Sequence, residues 1–332
     1  MTTVQARLLS QASRWPKGVA VLVLIGVAAW IPQRGSTFMA SLTLNILIFG
    51  LMATSLDLMA GYTGLVSLGH AAFLGVGAYG TAIATNHGIG PNMAVPIALA
   101  AVLVAALAFG IVAVRVRELT FVILTLALSQ LVWGLALLWV SVSGGDNGLS
   151  VSSLPVLGSV DLNDPDTLYY FVLAVFLVCE TLLWAIVHSP FGLSLQGIRD
   201  NEQRMRTLGY NVSLHKYLAF VISSFLAGVA GILYAFYNLY VTPTSIDFSH
   251  NGIIVMMAIV GGLGTLWGPL VGAGVVVFIQ LYVSIHLTRW VTLLGVVFVL
   301  TVLFAREGLW GTFLKLPRTI ARIRRRRSFP VA

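Results

Sequence analysis

Side chains able to do chemistry are scarce in this chain, and the two most conspicuous stand inside apolar runs. Asp57 lies near the end of one run, four residues before Gly61, and Glu180 is central in "FLVCETLLW". Placing an ionised acid at the centre of a membrane helix costs about 2.5–3.5 kcal/mol on insertion scales, so each acid needs a partner or a purpose. Asp57 could accept hydrogen bonds from backbone N–H groups freed by the glycines that follow it, or could line a path. Glu180 could pair across a helix bundle, meet a partner chain or line a cavity. Asn45 and His70 add uncharged polarity, with His70 read as a donor in helix packing. No catalytic residue is assigned, because no His cluster, Ser–Lys pair or suitably spaced pair of acids is visible. The six histidines show no His-Glu-x-x-His pattern and Cys179 is the single cysteine, so neither a metal site nor an internal disulfide is expected. Lys17, Lys216 and Lys315 are the only lysines and none follows a glycine. A Gly-Lys-Ser/Thr phosphate loop therefore cannot be written, and no cofactor is expected.

The elements that hold these residues are membrane helices. Hydrophobic residues make up 58% of the 332 and charged residues 9%, with a mean hydropathy of +0.95. A soluble domain carries about 25% charged residues. The composition predicts an all-α polytopic membrane protein. Apolar runs near 15–31, 38–60, 64–85, 93–114, 119–142, 168–188, 217–241, 251–266, 269–287 and 290–305 give about ten candidate crossings. Arg7, Arg14 and Lys17 before the first run resemble a signal peptide, but Trp30, Pro32 and Gln33 make a poor cleavage site, so an uncleaved first helix is expected. The expected layout is a cytoplasmic tail over 1–14, a transmembrane domain over 15–305 and a basic cytoplasmic tail over 306–332. With both termini inside, ten crossings place 17 of the 19 Lys and Arg in the cytoplasm. The 143–167 connection then falls outside, with Asp146, Asp161, Asp164 and Asp166 and no Lys or Arg. The net charge of +8 reads as membrane flanks, not as a nucleic-acid surface.

Two glycine motifs echo each other. "GYTG" at Gly61–Gly64 and "GGLG" at Gly261–Gly264 each follow an apolar helix and precede a second glycine-spaced run. Two structural repeats with broken or re-entrant helices would produce this echo. Small residues on close-packed helix faces would produce it too.

The longest internal cytoplasmic connection, 189–216, reads "SPFGLSLQGIRDNEQRMRTLGYNVSLHK". Leu193, Ile198, Met205 and Leu208 recur at helical spacing among polar residues, and Gly209 suits the residue just past a helix end. A short amphipathic helix is expected here. It could rest on the lipid interface or dock on a partner.

Three segments carry a family resemblance: "NILIFGLMATSLDLMAGYTGLVSLGHAAFLGVGAY", the loop and helix from "SPFGLSLQGIRD" to "AGILYA", and "IVGGLGTLWGPLVGAGV". In this order, over roughly 38–305, the chain resembles the LivM-type permeases of branched-chain amino acid ABC importers. The resemblance implies a subunit of the bacterial cytoplasmic (inner) membrane. Its implied partners are two ATP-binding subunits, a second related permease and an extracytoplasmic substrate-binding protein. It also implies that the helix over 193–208 is the ATPase-coupling helix, with Arg199, Asp200, Glu202 and Arg204 among its polar residues. Relatives often carry two small residues where this chain has Arg204 and Met205, which makes the expected docking surface bulkier and more basic. Asn45, Asp57, Gly61, Gly64, His70, Glu180, Gly261 and Gly264 are the candidates for the translocation path or helix breaks. A self-contained carrier or channel, or a related permease for urea, amides or aromatic acids, would share many of these features.

Overall fold

The computed structural model describes residues 36–116, 118–157, 160–305 and 308–313. The expected first span, the N-terminal tail and nearly all of the basic C-terminal tail lie outside the described residues. Among the described residues, the α-helices that organise the fold are α1 Thr37–Asp57, α2 His70–Asn86, α3 Pro91–Ala113, α4 Glu118–Leu138, α5 Pro165–His188, α6 Pro190–Asp200, α7 Glu202–Thr207, α8 Val212–Asn238, α9 Phe248–Gly261, α10 Gly268–Phe278 and α11 Trp290–Phe304. α1 runs on without a break into a π turn over Leu58–Thr63, and α10 runs through a second π turn to His286.

Among the described residues, six helices are long and apolar enough to cross a membrane: α1 with its π turn, α3, α4, α5, α8 and α10 with its extension. This makes the chain a multi-pass membrane protein, with fewer full-length spans among the described residues than the ten apolar runs suggest. The run at 64–85 yields a helix only from His70, after six non-helical residues. The run at 251–266 yields α9, whose 14 residues reach about 21 Å. That falls short of a hydrocarbon core about 30 Å thick. Hydropathy counts apolar residues and does not see where the backbone leaves the helix.

Side-chain caps set the helix starts. Ser36, Asp164, Ser189, Asn201, Asn211 and Asp247 accept from the first-turn amides of α1, α5, α6, α7, α8 and α9. Pro165 and Pro190 occupy first-turn positions, where a missing N–H costs nothing. α8 is the most buried span and packs on α1, α2 and α3. It crosses α2 so closely that a methyl on Gly77 would sit 2.2 Å from the Gly228 carbonyl oxygen. Small residues at that crossing let the backbones approach, and dispersion holds helices together where lipid offers no hydrophobic gain. The outward faces of α3, α4 and α11 present Val104, Ile111, Ile123, Leu135 and Leu303, side chains that lipid solvates.

The ends of the bundle differ. At one end, β1 (Leu149–Ser150) pairs antiparallel with β4 (Tyr240–Val241), and β2 (Val156–Leu157) pairs with β3 (Val160–Asp161). Asn86, at the end of α2, donates to the Ser150 carbonyl (2.8 Å) and ties the 143–167 connection to the bundle. The polar loop with α6 and α7 lies at the other end, together with the last turns of α1 and α9.

Candidate functional site

The end of α1 and the end of α9 meet, and the polar loop closes over them. α1 widens into its π turn, in which the Thr63 hydroxyl donates to the Leu58 carbonyl five residues back (2.9 Å). The chain then leaves the helix at Gly64, whose φ of 79° is left-handed. α9 ends at Gly261, and Gly262 and Gly264 both take positive φ. The two motifs that echo each other in sequence therefore form two helix breaks, and they touch. A methyl on Gly61 would lie 2.3 Å from the Gly264 amide nitrogen and 2.1 Å from Asp57 Oδ1.

Asp57 binds across this contact. It is fully buried, and its carboxylate accepts from the Gly264 amide (2.6 Å) and the Leu266 amide (3.4 Å). This corrects the expectation that Asp57 braces the glycines following it. It satisfies the amides of the other break, more than 200 residues away. Gly61 likewise is not the break but part of the π turn. Its carbonyl, left over at a helix end, accepts from Arg199 Nη1. The Arg199 stem lies over Gly64, where a methyl would sit 2.8 Å from its Cγ. One cationic side chain from the loop thus covers both glycine motifs.

The loop itself is two helices, not one. Asn201, extended at φ −160° and ψ 97°, separates α6 from α7 and caps α7 by accepting from the Arg204 amide (2.9 Å). Gly209 takes the expected place past α7, with φ 87°, and the Gly209 and Tyr210 amides donate to the Arg206 and Met205 carbonyls. Ile198 is buried, whereas Leu193 and Leu208 are 63% and 66% exposed. Arg204 is exposed, but Met205 turns inward, its sulfur against Gly197, so it does not widen an outer surface. Asp200 is exposed, 3.7 Å from Arg199 Nε. Glu202 pairs with Lys216 at the start of α8 (2.7 Å) and with Arg206 (2.6 Å).

Partial burial pushes the Glu202 carboxyl up, but Lys216 and Arg206 outweigh it and hold it below the usual carboxylate range. A depressed folded-state pKa gives stability that is present above the unfolded value and lost as pH falls through the folded one. Amide exchange over 202–216, corrected for intrinsic rates, is therefore expected to stay level from about pH 8 to 5 and to rise only below about pH 4. Loosening between about pH 7 and 5 would contradict this pairing.

The remaining candidates stand apart from the junction. His70 is buried at the start of α2, where Nε2 lies 2.6 Å from Ser223 Oγ. The Ser223 hydroxyl gives its proton to the Ser55 carbonyl, so His70 Nε2 carries the donor, in keeping with a packing role. Sequence reasoning missed Asn251, whose side-chain oxygen accepts from the Ala71 amide (3.1 Å) while its nitrogen donates to Ser129 (2.9 Å). Asn251 thereby satisfies the N-terminus of α2 inside the bundle, and its place in "SHNG" before an apolar run was the available signal. Asn45 only donates back to the Ser41 carbonyl (2.9 Å). Glu180 is buried, and among the described residues neither of its oxygens has a hydrogen-bond partner; the Thr54 hydroxyl donates to the Leu51 carbonyl (3.0 Å). An apolar groove of about 530 Å³ lies between α1, α5 and α10, walled by Leu47, Phe176, Trp267 and Leu270 among others, and Glu180 does not line it. Among the described residues no group of His, Cys, Asp and Glu has metal-binding geometry.

Comparison with known proteins places this architecture. The family model described as "Branched-chain amino acid transport system / permease component" matches residues 38–305. The chain belongs to this permease family. It is 28% identical over 320 residues to the high-affinity branched-chain amino acid transport system permease protein LivM of Escherichia coli (strain K12), covering 88% of this chain and 73% of that protein. More distant similarity reaches the autoinducer 2 import system permease protein LsrC of Enterobacter sp. (strain 638), 26% identical over 77% of this chain and 74% of that one. It also reaches the guanosine ABC transporter permease protein NupQ of Bacillus subtilis (strain 168), 28% identical over 39% of this chain and 38% of that one. No solved structure matches significantly. As a member of this family, the permease is a membrane component of a transport system that works with other subunits. Both breaks, Arg199 and the loop fall within the matched region.

Proposed function

We propose that this permease is one transmembrane half of an ATP-binding-cassette importer for branched-chain amino acids, driven by ATPase subunits on separate chains. The observation that carries the reading is the loop. Leu193 and Leu208 project from a polar, basic segment at a membrane-protein end, where exposed apolar side chains mark an interaction surface. The same loop reaches back through Arg199 to two helix breaks. Such a surface receives force from a partner that binds ATP, since this chain can write no phosphate loop of its own. The end of α3 packs at the start of α8, so Arg115 joins Arg199, Arg204, Arg206 and Lys216 at the loop end, which is the cytoplasmic end by the positive-inside rule. The acidic 143–167 connection then faces the substrate-binding protein. The solute follows from the similarity to LivM; guanosine and autoinducer 2, carried in the names of other relatives, are the competitors to test.

Replacing both Leu193 and Leu208 by Asp places charge on the docking face and leaves the buried Ile198 and Arg199 contacts in place. Less than a tenth of the ATPase is expected to co-purify with the tagged variant, measured against the wild-type chain. Full retention of the ATPase would show that the docking surface lies elsewhere.

A further inference from the structure

Resting on the importer reading, we propose that Arg199 is the positioning residue that carries movement of the coupling loop to both helix breaks at once. Three contacts make the connection. The Arg199 guanidinium donates to the Gly61 carbonyl at the end of the π turn. Its stem lies on Gly64, and Nη1 sits 3.4 Å from where a side chain on Gly264 would begin. Asp57 then locks the two breaks to each other through the Gly264 and Leu266 amides. A displacement of α6 pulls on the Gly61 carbonyl, and the second break follows because Asp57 and the Gly61–Gly264 contact bind it to the first. The π turn is the element that yields: it holds one residue more per turn than an α-helix, and such turns recur at functional sites. A separate polar contact, Glu202 on Lys216, joins the loop to α8 and not to the breaks. Buried Leu195 and Ile198 and the Phe191–His215 stack seat the loop on the bundle, while the Arg199 guanidinium is the polar group that reaches the Gly61 carbonyl. An element that both ends can bias is the physical basis for coupling between distant sites.

A static helix cap would hold Gly61 equally well, so the test must read transmission. Hydrogen exchange is measured on the complete importer in detergent, with and without ATP plus vanadate, in peptides covering 58–66, 262–267 and 193–208. In the wild type, nucleotide is expected to shift exchange at least fivefold in all three. Arg199→Gln is expected to keep the shift in 193–208 and to lose it in both breaks. Arg199→Lys, which retains a donor that reaches the Gly61 carbonyl, is expected to recover at least half of it. Should the Gln variant fail to assemble, Arg199→Met keeps the stem over Gly64 and serves the same comparison. Breaks that respond as in the wild type without the guanidinium would overturn the proposal, as would wild-type breaks that never respond while the loop does. A wild-type loop insensitive to nucleotide would instead sink the importer reading itself.

Discussion

Asp57→Ala is expected to abolish uptake and to destabilise the bundle by about 1–3 kcal/mol, since the buried Leu266 amide and the half-buried Gly264 amide lose their acceptor. The Leu266 N–H is buried beside the fully buried Asp57 and has no water to turn to, whereas the half-buried Gly264 N–H loses less. Asp57→Asn keeps one oxygen that can accept and is expected to recover roughly half of the loss. Thermal unfolding in detergent, followed by fluorescence-detected gel filtration, measures the first quantity, and uptake by cells measures the second. A wild-type melting temperature for Asp57→Ala would mean that the two breaks are held together by something other than this carboxylate.

The second large effect is steric. Gly61→Ala puts a methyl 2.1 Å from Asp57 Oδ1 and 2.3 Å from the Gly264 nitrogen, and the latter is backbone that cannot rotate away. The breaks must separate, at an overpacking cost of about 1–3 kcal/mol. Uptake is expected to fall at least tenfold. Gly252→Ala in α9 is the control, because nothing lies within 4 Å of the added methyl. By helix propensity that control is neutral or stabilising by up to about 1 kcal/mol. Equal behaviour of the two variants would contradict the close approach of Gly61 and Gly264.

Much of this junction was legible in the sequence, though not its connectivity. Composition and apolar runs predicted a helical membrane protein, and the "GYTG" and "GGLG" motifs allowed either breaks or close-packed faces; the positive φ of Gly64, Gly262 and Gly264 decides for breaks. Gly209 announced the end of the loop helix, where φ > 0 is needed. What stayed hidden was the partner of each polar group. Asp57 stands four residues before Gly61, so a local brace was the economical reading. Its true partners lie more than 200 residues on, and a single sequence carries no record of such distances. Arg199 is an exposed residue of an amphipathic helix, as its spacing suggests, but periodicity does not say that its guanidinium reaches the Gly61 carbonyl. Asn201 divides that helix because its side chain caps the next one, and a lone Asn within a polar stretch does not announce this. α9 was read as a full span because its apolar run continues past Gly261 through residues that are no longer helical.

The account stands most directly on reconstitution. The purified permease is placed in liposomes with the second permease, ATPase subunits and substrate-binding protein that the importer proposal calls for, and uptake of radiolabelled leucine is followed with and without internal ATP. Leucine is expected to accumulate only when ATP and every subunit are present, and removal of the ATPase subunits is expected to reduce uptake to the level of empty vesicles. Accumulation or rapid equilibration of leucine by this chain alone, without ATP or partners, would contradict the account and make the protein a self-contained carrier.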